Sequence, residues 1–328
     1  MNFTQAFLKI LLIMAVLLAF ILPGYFLRKA KLVAESVLPA LSNVLIYVCL
    51  PILMVKAFAV DPVKPSVDVA IEMGVVFLIA LISLTAMYFL SKLAFRGMKD
   101  VKRRDVYSFV AVFSNCGFIG IPFIDMMTGG NAKAIMFVAV YNVAFNILVW
   151  TLGVYLMTQN KKDISWKHAF LNPSMIGSYI GLLLFFLPQI NIFNMPAVKE
   201  LQQFPVYFAD MTSVLSMFIV GIRMADIPIK KLFNTFGSYC ACVLRLIVCP
   251  LLAVGVTLLF KAIYPVSDIV LLSVAVAAAM SPASTCVAYA ETFDGDKNSA
   301  ATTFILGTLL SVFTVPVFVS LLSLFLSL

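Results

Sequence analysis

The run Phe113-Ser114-Asn115-Cys116-Gly117-Phe118-Ile119-Gly120-Ile121-Pro122-Phe123-Ile124 lies inside an apolar segment long enough to cross a bilayer. Yet it carries Gly117, Gly120 and Pro122 within six positions. Proline has no N–H, and its ring clashes with the carbonyl four residues earlier. Two glycines loosen the same turn. A helix is therefore expected to break near Pro122, at membrane depth. Broken backbone in lipid is tolerated only where it is buried in protein or lines a polar cavity. Ser114 and Asn115 stand beside the break and can hydrogen-bond the freed groups or a solute. A second break of the same kind is expected at Ser281-Pro282-Ala283-Ser284-Thr285. The plainer alternative is a kink with close helix packing at each place. Two interrupted helices in matching positions of two halves instead point to a transporter's central site.

Composition supports the membrane reading. Of 328 residues 63% are hydrophobic and 12% charged, whereas a soluble domain is about half apolar and about a quarter charged. Six cysteines (Cys49, Cys116, Cys240, Cys242, Cys249, Cys286) all fall in apolar segments without a CxxC pair. They read as small buried residues, neither disulfides nor metal ligands. No HExxH, GxSxG or phosphate-binding loop is present, so neither an enzyme nor a self-contained ATP-driven pump is expected. No cofactor or metal is expected.

Ten spans follow, each near the roughly 20 residues a bilayer demands. They run at about Phe7–Leu27, Val37–Ala59, Val67–Ser91, Val106–Met127, Ala132–Met157, Pro173–Leu187, Pro205–Met224, Leu232–Ile263, Asp268–Ala290 and Ser299 to the C-terminus. Spans 4 and 9 hold the breaks. The polar stretch 158–172 divides residues 1–157 from 173–328, five spans each.

Charge placement orients the chain. With the N-terminus outside, sixteen of the 23 lysines and arginines fall in inner loops, among them Arg28, Lys29, Lys31, the basic loop Lys92–Asp105, Lys161, Lys162, Lys167, Arg223, Lys230 and Lys231. Six fall outside, and Arg245 alone lies within a span. Both termini are then on the non-cytoplasmic side of the cytoplasmic membrane. The net charge of +8 is a topology signal and an anionic-lipid contact, not a nucleic-acid surface. Five spans per half, an odd number, make the second half an inverted repeat. A weak echo supports it: Ser114-Asn115 precedes Gly129-Gly130-Asn131 much as Ser281-Pro282 precedes Gly295-Asp296-Lys297-Asn298.

The chain resembles the auxin efflux carrier family, in its bacterial malate/malonate-permease-like branch, over nearly its whole length. Asn43 to Pro51, Ser114 to Pro122, and Ser281 to Ser311 with Thr314-Val315-Pro316 carry the resemblance. It implies an all-α fold similar to sodium/proton antiporters and bile-acid symporters. Spans 4 and 9 would be unwound in their middles and cross there, and a scaffold would rock against a transport domain. Scaffold helices often dimerise in similar folds, which implies a homodimer. The long loop of the plant carriers is absent, and no asparagine stands beside Pro282, so the plant site does not carry over whole.

At such a crossing each second half-helix would begin near Pro122 or after Pro282. Helix N-termini carry about half a positive charge and free N–H groups, and two meeting at mid-membrane favour an anion. The neighbouring side chains are neutral: Ser114, Asn115, Ser281, Ser284, Thr285, with Asn43, Asn142 and Asn146 as further candidates. A cation antiporter would want carboxylates there. The expected solute is a small organic carboxylate, moved by alternating access. The alternatives are a sodium- or proton-coupled symporter of a larger amphipathic organic anion, and an anion channel or sensor. Asn142 and Asn146 share a face and either line the site or bond a neighbouring helix. Arg245 either snorkels or contacts substrate or helix dipoles. Asp125 and Asp210, toward the outer third, are candidates for a coupling proton, with interfacial solvation as the alternative. Asp68 and Glu72 read as vestibule surface, and His168 as an inert loop residue.

Overall fold

The computed structural model describes residues 3–60, 62–228, 232 and 235–326, with no side-chain description at 196 and 197. Lys230, Lys231, Asp61 and, within the expected span 8, Phe233 and Asn234 lie outside the described residues. Among the described residues there is no β-strand, and eight helices are long and apolar enough to cross a membrane. These are α1 (Phe3–Lys29), α2 (Glu35–Ala59), α3 (Val67–Ala94), α6 (Ala132–Thr158), α7 (Lys161–Phe186), α8 (Val198–Ala225), α9 (Phe236–Ile263) and α12 (Lys297–Phe325). The two remaining apolar segments are each split, into α4 (Val101–Val112) and α5 (Cys116–Thr128), and into α10 (Asp268–Ala279) and α11 (Thr285–Thr292).

The second break lies at Ser281–Ser284, as expected. The first is displaced. Phe113 is extended (φ −99°, ψ 121°), and helix resumes at Cys116. Pro122 therefore sits inside α5. A widened turn over Cys116–Gly120 absorbs it, with Ile121 N–H donating five residues back to Cys116. The same device precedes Pro51, where Leu50 donates to Leu45, and Pro250, where Cys249 donates to Leu244. The wider i→i−5 turn moves the carbonyl four residues before the proline away from its ring. Proline here marks a π turn and leaves the helix running.

Two groups of helices emerge from the packing. The second half of α1 packs on α8, and α7 on α2, with α2 also against α8. Both pairings run backbone to backbone across glycine. A Cβ on Gly24 would strike the Phe218 carbonyl, one on Gly221 the Ile21 carbonyl, and one on Gly177 the backbone of Pro51. The second group holds α3 on α6, α6 on α10, α10 on α9, α4 on α3, and α12 beside α10 and α11. The first half of α1 lies along α12. Side-chain caps start α3, α4, α6 and α12, from Ser66, Asp100, Asn131 and Asp296; each satisfies an N–H that the first helical turn leaves over.

Candidate functional site

The two breaks pair with each other. Asn115 N–H donates to the Ser281 carbonyl at 2.8 Å, and Ala283 N–H donates to the Phe113 carbonyl at 2.9 Å. This isolated antiparallel bridge centres on Ser114 and Pro282. Unwound backbone deep in an apolar body needs such partners. Gly307 of α12 makes room for the bridge, because a Cβ there would overlap the Pro282 ring.

Four helix ends meet at the bridge, and they are treated differently. Arg245 of α9 is fully buried. Its Nη1 donates to the carbonyl of Val112 at 2.6 Å, and its Nη2 donates to the carbonyl of Ala278 and to Cys249 Sγ. Val112 ends α4, and Ala278 lies one residue from the end of α10. One guanidinium thus serves the negative C-terminal ends of both first half-helices. This corrects two readings of Arg245: it does not snorkel, and it does not line the cavity.

The N-terminal ends receive no such charge. Asn115 precedes α5 and Ser284 precedes α11, and neither side chain caps the helix it precedes. A helix leaves its first N–H groups over, although at α11 those of Cys286 and Val287 already donate to the Ala283 and Ser284 carbonyls at 3.1 and 3.3 Å. Both ends border a cavity of about 720 Å³. Of the expected residues, Asn43, Ser114, Asn115, Gly117, Asn142, Asn146, Ser284 and Thr285 line it. Asn115 Nδ2 and Thr285 Oγ1 are buried without a hydrogen-bond partner, groups that a polar solute would satisfy. Asn142 is tied down by neighbours: Cys116 Sγ donates to its Oδ1 at 3.5 Å, and its Nδ2 reaches Met54 Sδ at 3.4 Å and Ser174 Oγ at 3.5 Å. Asn146 donates to the Asn142 carbonyl at 2.8 Å and to Ser174 Oγ at 3.3 Å. The two asparagines therefore do both things, bonding a neighbouring helix and lining the site. A Cβ on Gly117 would lie 2.9 Å from Asn142 Oδ1, so a larger residue there would displace that amide.

Other expected residues stand back. Gly120 packs against Met280, Pro122 is helical, and Ser281 and Pro282 build the bridge without lining the cavity. Neither Asp125 nor Asp210 reaches it. Glu72 is buried, pairs with Lys133 at 2.5 Å and accepts the Ser267 N–H at 2.9 Å, so it is no vestibule surface.

The cavity also meets residues that local sequence did not single out. The ring of His168 stacks on Trp150 at 5.0 Å, and Trp150 lies 5.5 Å from Tyr289. Lys167 and Arg223 line it too. His168 is therefore a wall residue of the cavity. The available signal was the aromatic and basic stretch Trp166-Lys167-His168, which folds back as a short helical turn.

A family model described as "Membrane transport protein" matches residues 6–319. No curated protein matches the chain.

Proposed function

The chain belongs to this membrane transport protein family, the auxin efflux carrier family, and from that premise we propose that it is a secondary active transporter of a small organic carboxylate. It is a multi-pass membrane protein of a transport family. The observation that carries the substrate class is the asymmetry at the crossing. Arg245 neutralises the two C-terminal helix ends, while the two N-terminal ends face a cavity walled by neutral Asn115, Ser284 and Thr285. Fixed dipoles of that sign favour a carboxylate and disfavour a cation.

In this reading there are ten spans in two inverted repeats, α4–α5 matching α10–α11. The crossed pairing of α1 with α8 and α7 with α2, each through close glycine contacts, supports it. The α1, α2, α7 and α8 group is the scaffold, and the other helices rock against it. The basic loops face the cytoplasm and the termini face outward, and Lys167 and Arg223, which line the cavity, belong to its cytoplasmic side. The malate/malonate-permease-like branch is the expected relation.

Uptake of labelled mono- and dicarboxylates into proteoliposomes, under imposed proton and sodium gradients, tests the proposal. Saturable uptake with counterflow is expected. Cation uptake, or unsaturable flux without counterflow, would overturn it. Cysteines introduced in 92–105 and 158–172 should resist impermeant reagents in intact cells, and ready labelling would overturn the orientation.

A further inference from the structure

The cavity is longer than one carboxylate needs. Its lining runs from Asn142 to Trp150 on α6, from Thr285 to Phe293 on α11 and from Ser216 to Arg223 on α8. Each run advances seven or eight residues, about 10–12 Å at helical rise. Contacts between elements fix the two ends. At the crossing, Cys116 Sγ donates to Asn142 Oδ1 at 3.5 Å, which sets Asn142 beside the start of α5. At the other end Trp150 lies 5.5 Å from Tyr289 and 5.0 Å from His168, and Arg223 meets Glu291 at 2.8 Å. The later residues of α6, α8 and α11 therefore gather at this far end. The volume of about 720 Å³ falls in the range of roughly 300–1,000 Å³ that holds a drug-sized solute. A three-carbon diacid, by contrast, spans only about 2.5 Å between its carboxyl carbons.

Both ends are polar and the middle is not. At the crossing Asn115 is 3% exposed and its Nδ2 has no partner, nor has Thr285 Oγ1. At the far end Tyr289 is 7% exposed, lines the cavity, and its hydroxyl has no partner either. Buried polar groups left over in this way call for a partner. Lys167, next to His168 in the chain, lines the cavity, and no carboxylate among the described residues pairs with it. Arg223 is already committed to Glu291. No aspartate or glutamate among the described residues lines the cavity. Between the ends, Phe145 and Val149 of α6, Val287 and Ala288 of α11, and Ile219 and Val220 of α8 form an apolar wall.

Resting on the carboxylate reading above and narrowing it, we propose that the cavity takes a two-headed anion, an α,ω-dicarboxylate of about nine carbons. One head sits at Asn115 and Thr285, the other at Lys167 and the Tyr289 hydroxyl, and the chain lies along the apolar wall. An extended chain advances about 1.25 Å per carbon–carbon bond, so eight bonds reach about 10 Å, the length of the lining. Malonate would engage one head only. A monocarboxylate of the same chain length would leave Lys167 and the Tyr289 hydroxyl unserved. Hydrophobic burial alone gives the opposite order, because a terminal methyl enters an apolar cavity more readily than a second carboxylate does. A charge-assisted partner for the second head reverses that order.

Isothermal titration calorimetry of the purified chain in nanodiscs, with malonate, nonanoate and nonanedioate as probes, tests this. Nonanedioate should bind at least about tenfold more tightly than either of the others, the worth of one charge-assisted hydrogen bond. Lys167→Gln should cost nonanedioate about tenfold and bring it level with nonanoate or below it, and Lys167→Arg should keep the preference. Tyr289→Phe keeps the ring and should weaken nonanedioate about threefold. Lys167 is exposed, so its variants probe the second head and leave the fold alone. Nonanoate binding as tightly as nonanedioate, malonate binding more tightly than both, no binding of any probe, or a preference that survives Lys167→Gln would overturn the two-headed site. The measurement needs no flux, so it separates the two readings. Nonanedioate that binds as expected but is never carried with counterflow sinks the transport reading and leaves the two-headed site standing. Saturable uptake of malonate by a chain that does not prefer nonanedioate does the reverse.

Discussion

Asn115 and Ser281 are joined through their main chains: the N–H of Asn115 donates to the carbonyl of Ser281 at 2.8 Å, 166 positions along the sequence. Neither broken segment is complete alone. Each carries the donor or acceptor that the other lacks, so the breaks persist because they satisfy one another and not because a proline forbids helix. Several consequences can be measured.

Pro122→Ala should be mild. The proline sits within α5 after a π turn that already accommodates it, so alanine restores an N–H without touching the bridge. Thermal stability should change by under about 1 kcal/mol, and transport should stay within about threefold of wild type. Loss of transport would mean that Pro122 holds the break open after all.

Gly307 and Pro282 should behave as a pair. A Cβ at 307 overlaps the Pro282 ring, and overpacking of this kind costs about 1–3 kcal/mol. Gly307→Ala should lower the melting temperature. Adding Pro282→Ala removes the ring and should recover part of the loss. Additive losses in the double-mutant cycle, with no coupling beyond about 0.5 kcal/mol, would show that the contact does not matter.

The contrast between the two prolines explains what local sequence can and cannot reveal. The hydropathy pattern anticipated the eight long apolar helices, because burial in lipid imposes apolar runs of fixed length, but it began the helix of Lys161–Phe186 at Pro173 and that of Val198–Ala225 at Pro205. It found the break beside Pro282, where proline and extended backbone coincide. It misplaced the first break because Pro122 was taken as the breaker, whereas a π turn absorbs it and the true break at Phe113–Asn115 is fixed by a partner on another segment. Arg245 and His168 were illegible for the same reason. The carbonyls of Val112 and Ala278, and the ring of Trp150, are brought to them by folding across long sequence distances. Neutral polar residues at the breaks were legible because local chain chemistry puts them there.

Arg245→Met should be among the most damaging single changes. It keeps length but strands two buried carbonyls and uncovers two negative helix ends. Breaking a buried charged network costs about 3–5 kcal/mol. Arg245→Lys keeps the charge without the fork and should fall between the two. Melting of purified protein followed by size exclusion decides it. Wild-type stability in Arg245→Met would refute the capping role.

Asp296 gives a pH-dependent contribution. Burial disfavours its carboxylate, but the Ser299 N–H and the Arg103 guanidinium outweigh that and hold its pKa below the ordinary value. A lowered native pKa stabilises above the unfolded value of about 4 and is lost as pH falls through the native one. Asp296→Ala should therefore destabilise at neutral pH by about 1 kcal/mol, the worth of an N-cap. The gap from wild type should narrow as pH drops below about 4. A gap that stays constant with pH would assign the loss to packing alone.

Asn115 carries the sharpest test of the anion site. It borders the N-terminus of α5, lines the cavity and has a buried amide nitrogen without a partner. Asn115→Ala removes a donor worth about 0.5–3 kcal/mol but leaves both helix ends and the backbone bridge in place, so anion affinity should weaken and remain measurable. Asn115→Asp keeps the shape and introduces a fixed carboxylate where the substrate's would sit. At about 4 Å and an effective dielectric near 20, the repulsion is of order 4 kcal/mol, roughly a thousandfold in affinity. The expected order at neutral pH is wild type, Asn115→Ala, then Asn115→Asp, with membrane expression matched. Equal transport of the identified anion by wild type and Asn115→Asp would remove Asn115 from the anion site.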